Sequence, residues 1–199
     1  MTLPNLKYFY NNQAKTLDII LHGASQGMDS PFMQKLITSS RNKGNSVLAF
    51  NFPFLDRGEE KSSGPELKEE LAALKEAMNF CQADKLAHIR FVAKSLGAIV
   101  ASFFLQNQPE KEQRKYSIVV LGYVTGSLNL KSFQGKITII QGEKDKFGNI
   151  KAVKIDMESS VSKDITYYEI KGADHSYRVP ETKEPLYEDK VVGILSSLG

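Results

Sequence analysis

The sequence predicts an α/β fold in three layers, with a mostly parallel sheet of about six or seven strands between two layers of helices. Three observations carry that expectation. Short apolar, β-branched runs alternate with amphipathic stretches, the rhythm of right-handed βαβ crossovers. The runs at 116–124 and 136–143 are apolar rather than alternating, as strands covered on both faces must be. The length of 199 residues suits a single domain, 1–199, that buries roughly 70% of the surface exposed by its unfolded chain.

Residues 17–23, LDIILHG, read as a core strand, and 6–11, LKYFYN, add an edge strand. The segment 30–44, SPFMQKLITSSRNKG, is a helix with Ser30 at its cap, Pro31 in its first turn and Gly44 at its exit. A strand follows at 45–53, NSVLAFNFP, and Pro53 stops it. The helix at 69–82, EELAALKEAMNFCQ, is entered through Pro65 and spaces its apolar residues three or four apart. Cys81 continues that stripe as a small hydrophobe. Next come a strand at 88–95, HIRFVAKS, and the helix it feeds at 97–108, GAIVASFFLQNQ. Residues 108–115 form a solvated connection, and 116–124 (YSIVVLGYV) and 136–143 (KITIIQGE) are buried strands. A helix at 149–161, a last strand at 164–172 and a closing helix at 184–198 complete the chain. The polar stretch 58–66, GEEKSSGPE, is a surface loop within the domain.

Composition narrows the function. Hydrophobic residues make up 41% and charged residues 25%, as in ordinary globular chains. The 26 basic and 23 acidic side chains are interspersed, so nucleic-acid binding is not expected. No apolar run reaches about 18 residues, so no membrane partner is expected, and the N-terminus lacks the layout of a secretion signal. Cys81 is the only cysteine, which leaves no intrachain disulfide and no cysteine-based metal cluster. His22, His88 and His175 lack metal-ligand spacing. The expectation is a cytoplasmic monomer or homodimer that needs no metal and no cofactor.

In an open parallel sheet, ligands gather at the carboxyl ends of the strands. Ser95 follows the strand at 88–94, Asp145 follows 136–143 and His175 follows 164–172, while His22 to Gly27 follow the first core strand. A nucleophile, an acid and a base thus fall on one rim. A serine hydroxyl attacks at neutral pH only if an imidazole takes its proton. The imidazole in turn needs a carboxylate to fix its tautomer. Ala93 and Gly97 supply the small residues that a sharp strand-to-helix turn requires. Asp156 and Asp164 compete with Asp145 for the acid's place, but Asp156 reads as mid-helix and Asp164 as lying at the opposite rim. Asp174 is adjacent to His175 and shapes its loop instead. His22 reads as a packing residue, His88 as structural, and Lys94 as pointing away from the serine's pocket.

These motifs resemble the α/β-hydrolase superfamily, in particular its compact dienelactone-hydrolase-like members and the hydrolases of the NSL-complex-subunit type. HGASQGMDSPFM (22–33) is similar to their oxyanion loop, AKSLGA (93–98) to their nucleophile elbow, QGEKDKFGN (141–149) to their acid loop and GADHSY (172–177) to their histidine loop. The elbow departs from G-x-S-x-G at Ala93, and Ser25 and Gln26 stand where glycines are frequent. The resemblance implies a minimal α/β-hydrolase fold with Ser95 as nucleophile, Asp145 as acid and His175 as base. It also implies an oxyanion hole formed by the backbone N–H groups of Ala24 and Leu96. Residues 125–135 are too few to fold into a lid, so an open site is expected, with Ser25, Phe54, Tyr123 and Tyr177 around the substrate. The expected activity is hydrolysis of a small acyl ester. The alternative is a protein that keeps the fold as a binding or scaffold module without turnover.

Overall fold

A computed structural model describes residues 3–198. Its strands are β1 (Leu6–Phe9), β2 (Thr16–Leu21), β3 (Ser46–Phe50), β4 (His88–Lys94), β5 (Tyr116–Leu121), β6 (Lys136–Gly142) and β7 (Ile165–Ile170). They form one sheet in the order β1-β3-β2-β4-β5-β6-β7. Only β1 runs antiparallel, pairing with β3 at the edge. The helices are α1 (Pro31–Asn42), α2 (Pro53–Asp56), α3 (Lys68–Phe80), α4 (Leu96–Gln106), α5 (Glu110–Gln113), α6 (Ile150–Asp156) and α7 (Glu188–Ser197).

Strand alternation divides the core in two. Leu17, Ile19 and Leu21 of β2 face a layer built by Leu74 and Met78 of α3, Val100 and Leu105 of α4, and Val153 of α6. Ile20 of β2 and Val92 of β4 face Leu36 and Ile37 of α1 and Val191 and Leu195 of α7. This is the α/β/α sandwich that the uninterrupted apolar runs predict. Cys81 lies buried at the end of α3, and burial pushes its thiol up to about 11, where it packs rather than reacts.

Several boundaries differ from the sequence reading, each for a local reason. Pro53 does not merely end a strand; it opens α2, whose first turn needs no N–H from it. The 108–115 connection contains the short helix α5. Helix α6 ends at Asp156, not 161, and Ser160 then turns its N–H back to the Met157 carbonyl. Serine competes for such local bonds and shortens helices. Helix α7 starts at Glu188, not 184, and the Tyr187 N–H at its cap donates to the Tyr177 carbonyl. Among the described residues, no helix is long and apolar enough to cross a membrane.

Candidate active site

Ser95 sits between β4 and α4 with φ 50° and ψ −111°, a conformation that a residue with a Cβ adopts only under strain. Two contacts hold it there. The Ser95 N–H donates to the Leu121 carbonyl on β5 at 3.0 Å. Gly97 lets the start of α4 press against the end of β2, since a Cβ at Gly97 would lie 2.7 Å from the carbonyl oxygens of Leu21 and His22. Ala93, wholly buried and paired with Leu21, shows that this turn forms without the first glycine of the elbow. Gly97→Ala is expected to lower stability by about 1–3 kcal/mol through over-packing against backbone. The measurement is a urea unfolding curve with a reduced midpoint and an unchanged slope.

The loop after β6 carries Asp145, and the loop after β7 carries His175. His175 Nδ1 lies 2.7 Å from Asp145 Oδ2, and its Nε2 lies 2.8 Å from Ser95 Oγ. A carboxylate can only accept, so Nδ1 carries the proton and Nε2 accepts from the serine hydroxyl. Asp145 is nearly enclosed. Its Oδ1 accepts from the Phe147 N–H at 2.8 Å, and its Oδ2 also accepts from Gln141 Nε2 at 2.9 Å. Phe147 sets its ring edge-on to His175, with centroids 4.6 Å apart. Gln141 and Phe147 thus fix the acid and the imidazole, and neither had a spacing signal to mark it beforehand.

The other acids lie elsewhere. Asp156 ends α6 and accepts from the Tyr123 hydroxyl and the Gly126 N–H. Asp164 caps the opposite rim, where its carbonyl receives the Ile137 N–H. Asp174 accepts from the N–H groups of Ser176 and Arg178 and so shapes the histidine loop. His88 bonds Ser117 Oγ at the start of β4.

His22 is fully buried and braces the loop before α1. Its Nδ1 donates to the Gly23 carbonyl at 2.6 Å, and its Nε2 accepts from the Phe52 N–H at 2.9 Å. Burial lowers its pKa, so the ring stays neutral and serves as a structural strut.

A cleft of about 670 Å³ opens above Ser95 and His175, lined by Ala24, Ser25, Gln26 and Phe147 among others. Among the described residues, no oxygen accepts from the N–H groups of Ala24 and Leu96, which leaves them free to bond an incoming one. Ser25 stands in the cleft wall as expected, but Phe54, Tyr123 and Tyr177 do not. All three are fully buried, and none lines the cleft. The chain turns inward after each of their strands, and each side chain finds partners inside. Phe54 packs on Phe52 and His22. Tyr123 donates its hydroxyl to Asp156, and Tyr177 donates to the Ile140 carbonyl at 2.7 Å. A tyrosine whose hydroxyl has such a partner can be buried whole.

Lys94 also lies where the sequence did not place it. It does not point away from the site; it lines the cleft wall and is almost wholly buried. Its Nζ donates to the His175 carbonyl at 2.8 Å and lies 5.6 Å from the centre of the Tyr177 ring. Burial pushes its pKa down to about 8, with Asp145 and Asp174 pulling the other way. Gly122, at φ 71°, makes room for this arrangement, because a Cβ there would lie 2.9 Å from both the Lys94 ammonium and the His175 ring.

The strand order, and the fall of the sharp turn between β4 and α4, place the chain in the α/β-hydrolase class. Residues 14–195 match the family described as alpha/beta hydrolase domain, and the chain belongs to that family. No curated protein matches the sequence well enough to serve as a relative. Among solved structures, an alpha-beta serine hydrolase homologue from Coxiella burnetii superposes with a TM-score of 0.75 at 14% identity, covering 96% of this chain and 89% of that one. An α/β serine hydrolase without a lid from Xanthomonas campestris gives 0.71 at 16% identity, covering 98% and 90%. An esterase from Pyrococcus furiosus gives 0.68 at 19% identity, covering 96% and 85%. At these identities the likeness is one of fold.

Proposed function

We propose that this chain is a serine hydrolase that cleaves small acyl esters through an acyl-enzyme on Ser95. The observation that carries the reading is the unbroken hydrogen-bonded line from Asp145 through His175 to Ser95. His175 Nε2 takes the hydroxyl proton as Ser95 Oγ attacks the carbonyl carbon. The carbonyl oxygen, now bearing the charge, is received by the N–H groups of Ala24 and Leu96, each such donor being worth about 2.7–4 kcal/mol in the transition state. His175 then gives its proton to the departing alcohol. A water, deprotonated by the same nitrogen, releases the acid and restores the serine.

The cleft volume of about 670 Å³ suits a small ester. The names of the structural neighbours from Coxiella burnetii, Xanthomonas campestris and Pyrococcus furiosus agree with this chemistry. A fluorophosphonate probe tests the proposal, since it reacts only with a serine whose neighbours activate it. The intact protein is expected to be labelled and Ser95→Ala is not. An intact protein that stays unlabelled from about pH 6 to 9, across the usual range of histidine titration, would favour the non-catalytic binding role.

A further inference from the structure

The walls of the cleft are unevenly charged. Lys94 precedes Ser95, Lys144 and Lys146 flank Asp145, and Arg178 and Lys183 come from the segment after His175; against these five the lining offers only Asp174 and Glu188. The nearest pairings are loose. Lys183 stands 3.4 Å from Asp174, Arg178 stands 4.0 Å from Glu188, and Lys144 stands 3.8 Å from Glu181. Among the described residues Lys146 has no carboxylate within 4.0 Å and lies over the Phe147 ring instead.

Two arginines elsewhere in the fold are held tightly by carboxylates. Arg90 holds Asp18 through two 2.8 Å bonds, and Arg57 holds Glu59 and Glu69 at 2.7–2.8 Å. Arg178 has no such fork. Its Nε is buried without an acceptor, and Glu188, its only nearby carboxylate, is also 3.5 Å from Lys35. Asp145 keeps its charge behind His175, with its oxygens turned to Gln141, Phe147 and His175, and with it counted the cations at the cleft still outnumber the carboxylates. A concave wall with surplus cations focuses its field on the space it encloses. The long pairs of Lys183 and Lys144, both exposed lysines, are weak enough for an incoming anion to displace.

We infer that the cleft selects esters bearing a second, anionic group, a carboxylate or a phosphate, which Arg178, Lys146 and Lys183 receive while the ester carbonyl lies at Ser95. The inference rests on the hydrolase reading for its reaction. Water is consumed, the acyl–oxygen bond breaks, and the anionic fragment leaves as a free alcohol or acid. The recognition itself is a binding property that can be measured without turnover.

The experiment compares three acetyl esters of similar phenols: 3-acetoxybenzoate, 3-acetoxyphenyl phosphate and the neutral methyl 3-acetoxybenzoate. Binding is measured calorimetrically on Ser95→Ala, and kcat/KM on the intact protein. At low ionic strength at least one anionic ester is expected to bind about tenfold more tightly than the neutral one. The preference should fall toward unity as salt shortens the Debye length from about 30 to about 3 Å. The carboxylate and phosphate arms decide which anion is preferred. Adding K146E/K183E should abolish the preference, whereas K111E/K163E, an equal charge change on exposed residues outside the cleft, should not.

Equal binding of the three esters at low salt would overturn the inference, as would a preference that K111E/K163E removes equally. If K146E/K183E fails to fold, the salt dependence of the intact protein decides by itself. Preferential binding without turnover would support the anion site and remove the acyl-transfer reading. Turnover without preference would do the reverse.

Discussion

Asp145→Asn is expected to lower kcat by about 10⁴-fold while the protein stays folded. The reason lies in the donors around the carboxylate. Oδ1 receives the Phe147 N–H, and Oδ2 receives both Gln141 Nε2 and His175 Nδ1. An asparagine has one acceptor oxygen, so its amide nitrogen must face a donor whichever way it turns. With nitrogen toward His175, the imidazole loses its acceptor and moves its proton to Nε2, where it can no longer take one from Ser95. With nitrogen toward Phe147, the side chain opposes a backbone donor it cannot avoid. Steady-state kinetics on a small aryl ester, with circular dichroism to confirm folding, read the effect. Asp156→Asn serves as the comparison, because Asp156 bonds Tyr123 and Gly126 away from the histidine. A comparable loss there, with Asp145→Asn nearly as active as the parent, would assign the acid to the wrong loop.

The convergence of Ser95, Asp145 and His175 is legible in the sequence because it needs only strand ends. Ser95, Asp145 and His175 each follow a run apolar enough to be a buried strand, and parallel topology brings such ends to one rim. The two-layer core was legible for the same reason. What could not be read depends on where side chains turn after the strand stops. Tyr123 and Tyr177 follow β5 and β7 as closely as any cleft residue would, yet internal acceptors draw their hydroxyls into the core. The buried pair of Asp18 and Arg90 exists because β2 and β4 are neighbours in a register that sets these two side by side. The 71 residues between them (19 to 89) conceal that. The place of Lys94 is hidden because adjacency to Ser95 fixes the direction of its Cβ but not the reach of four methylenes.

Lys94→Met is expected to separate stability from activity, and pH shows how. The Lys94 ammonium is held down to about 8 by burial, opposed in part by Asp145 and Asp174, whereas an unfolded chain leaves it at its ordinary value near 10.4. The folded pKa lies below the unfolded one, so between these values the unfolded state binds the extra proton. The contribution of Lys94 to stability therefore rises with pH across that window. The interval is worth roughly 3 kcal/mol. At pH 7 the methionine variant escapes the burial of a charge but leaves the His175 carbonyl without its donor, a loss of about 1–3 kcal/mol. The two proteins should then unfold at similar denaturant concentrations. Near pH 10.5 the buried amine is neutral and still bonded to the carbonyl, so the parent should be the more stable by roughly 3 kcal/mol more than at pH 7. Activity should behave differently. The link between Lys94 and the His175 carbonyl ties the nucleophile's turn to the base's loop, and small displacements of reacting groups slow a reaction about 10²-fold. A drop in kcat at pH 7 without a drop in stability is therefore expected. A stability difference that stays constant from pH 7 to 10.5 would mean that Lys94 titrates as an exposed lysine and does not clamp the histidine loop.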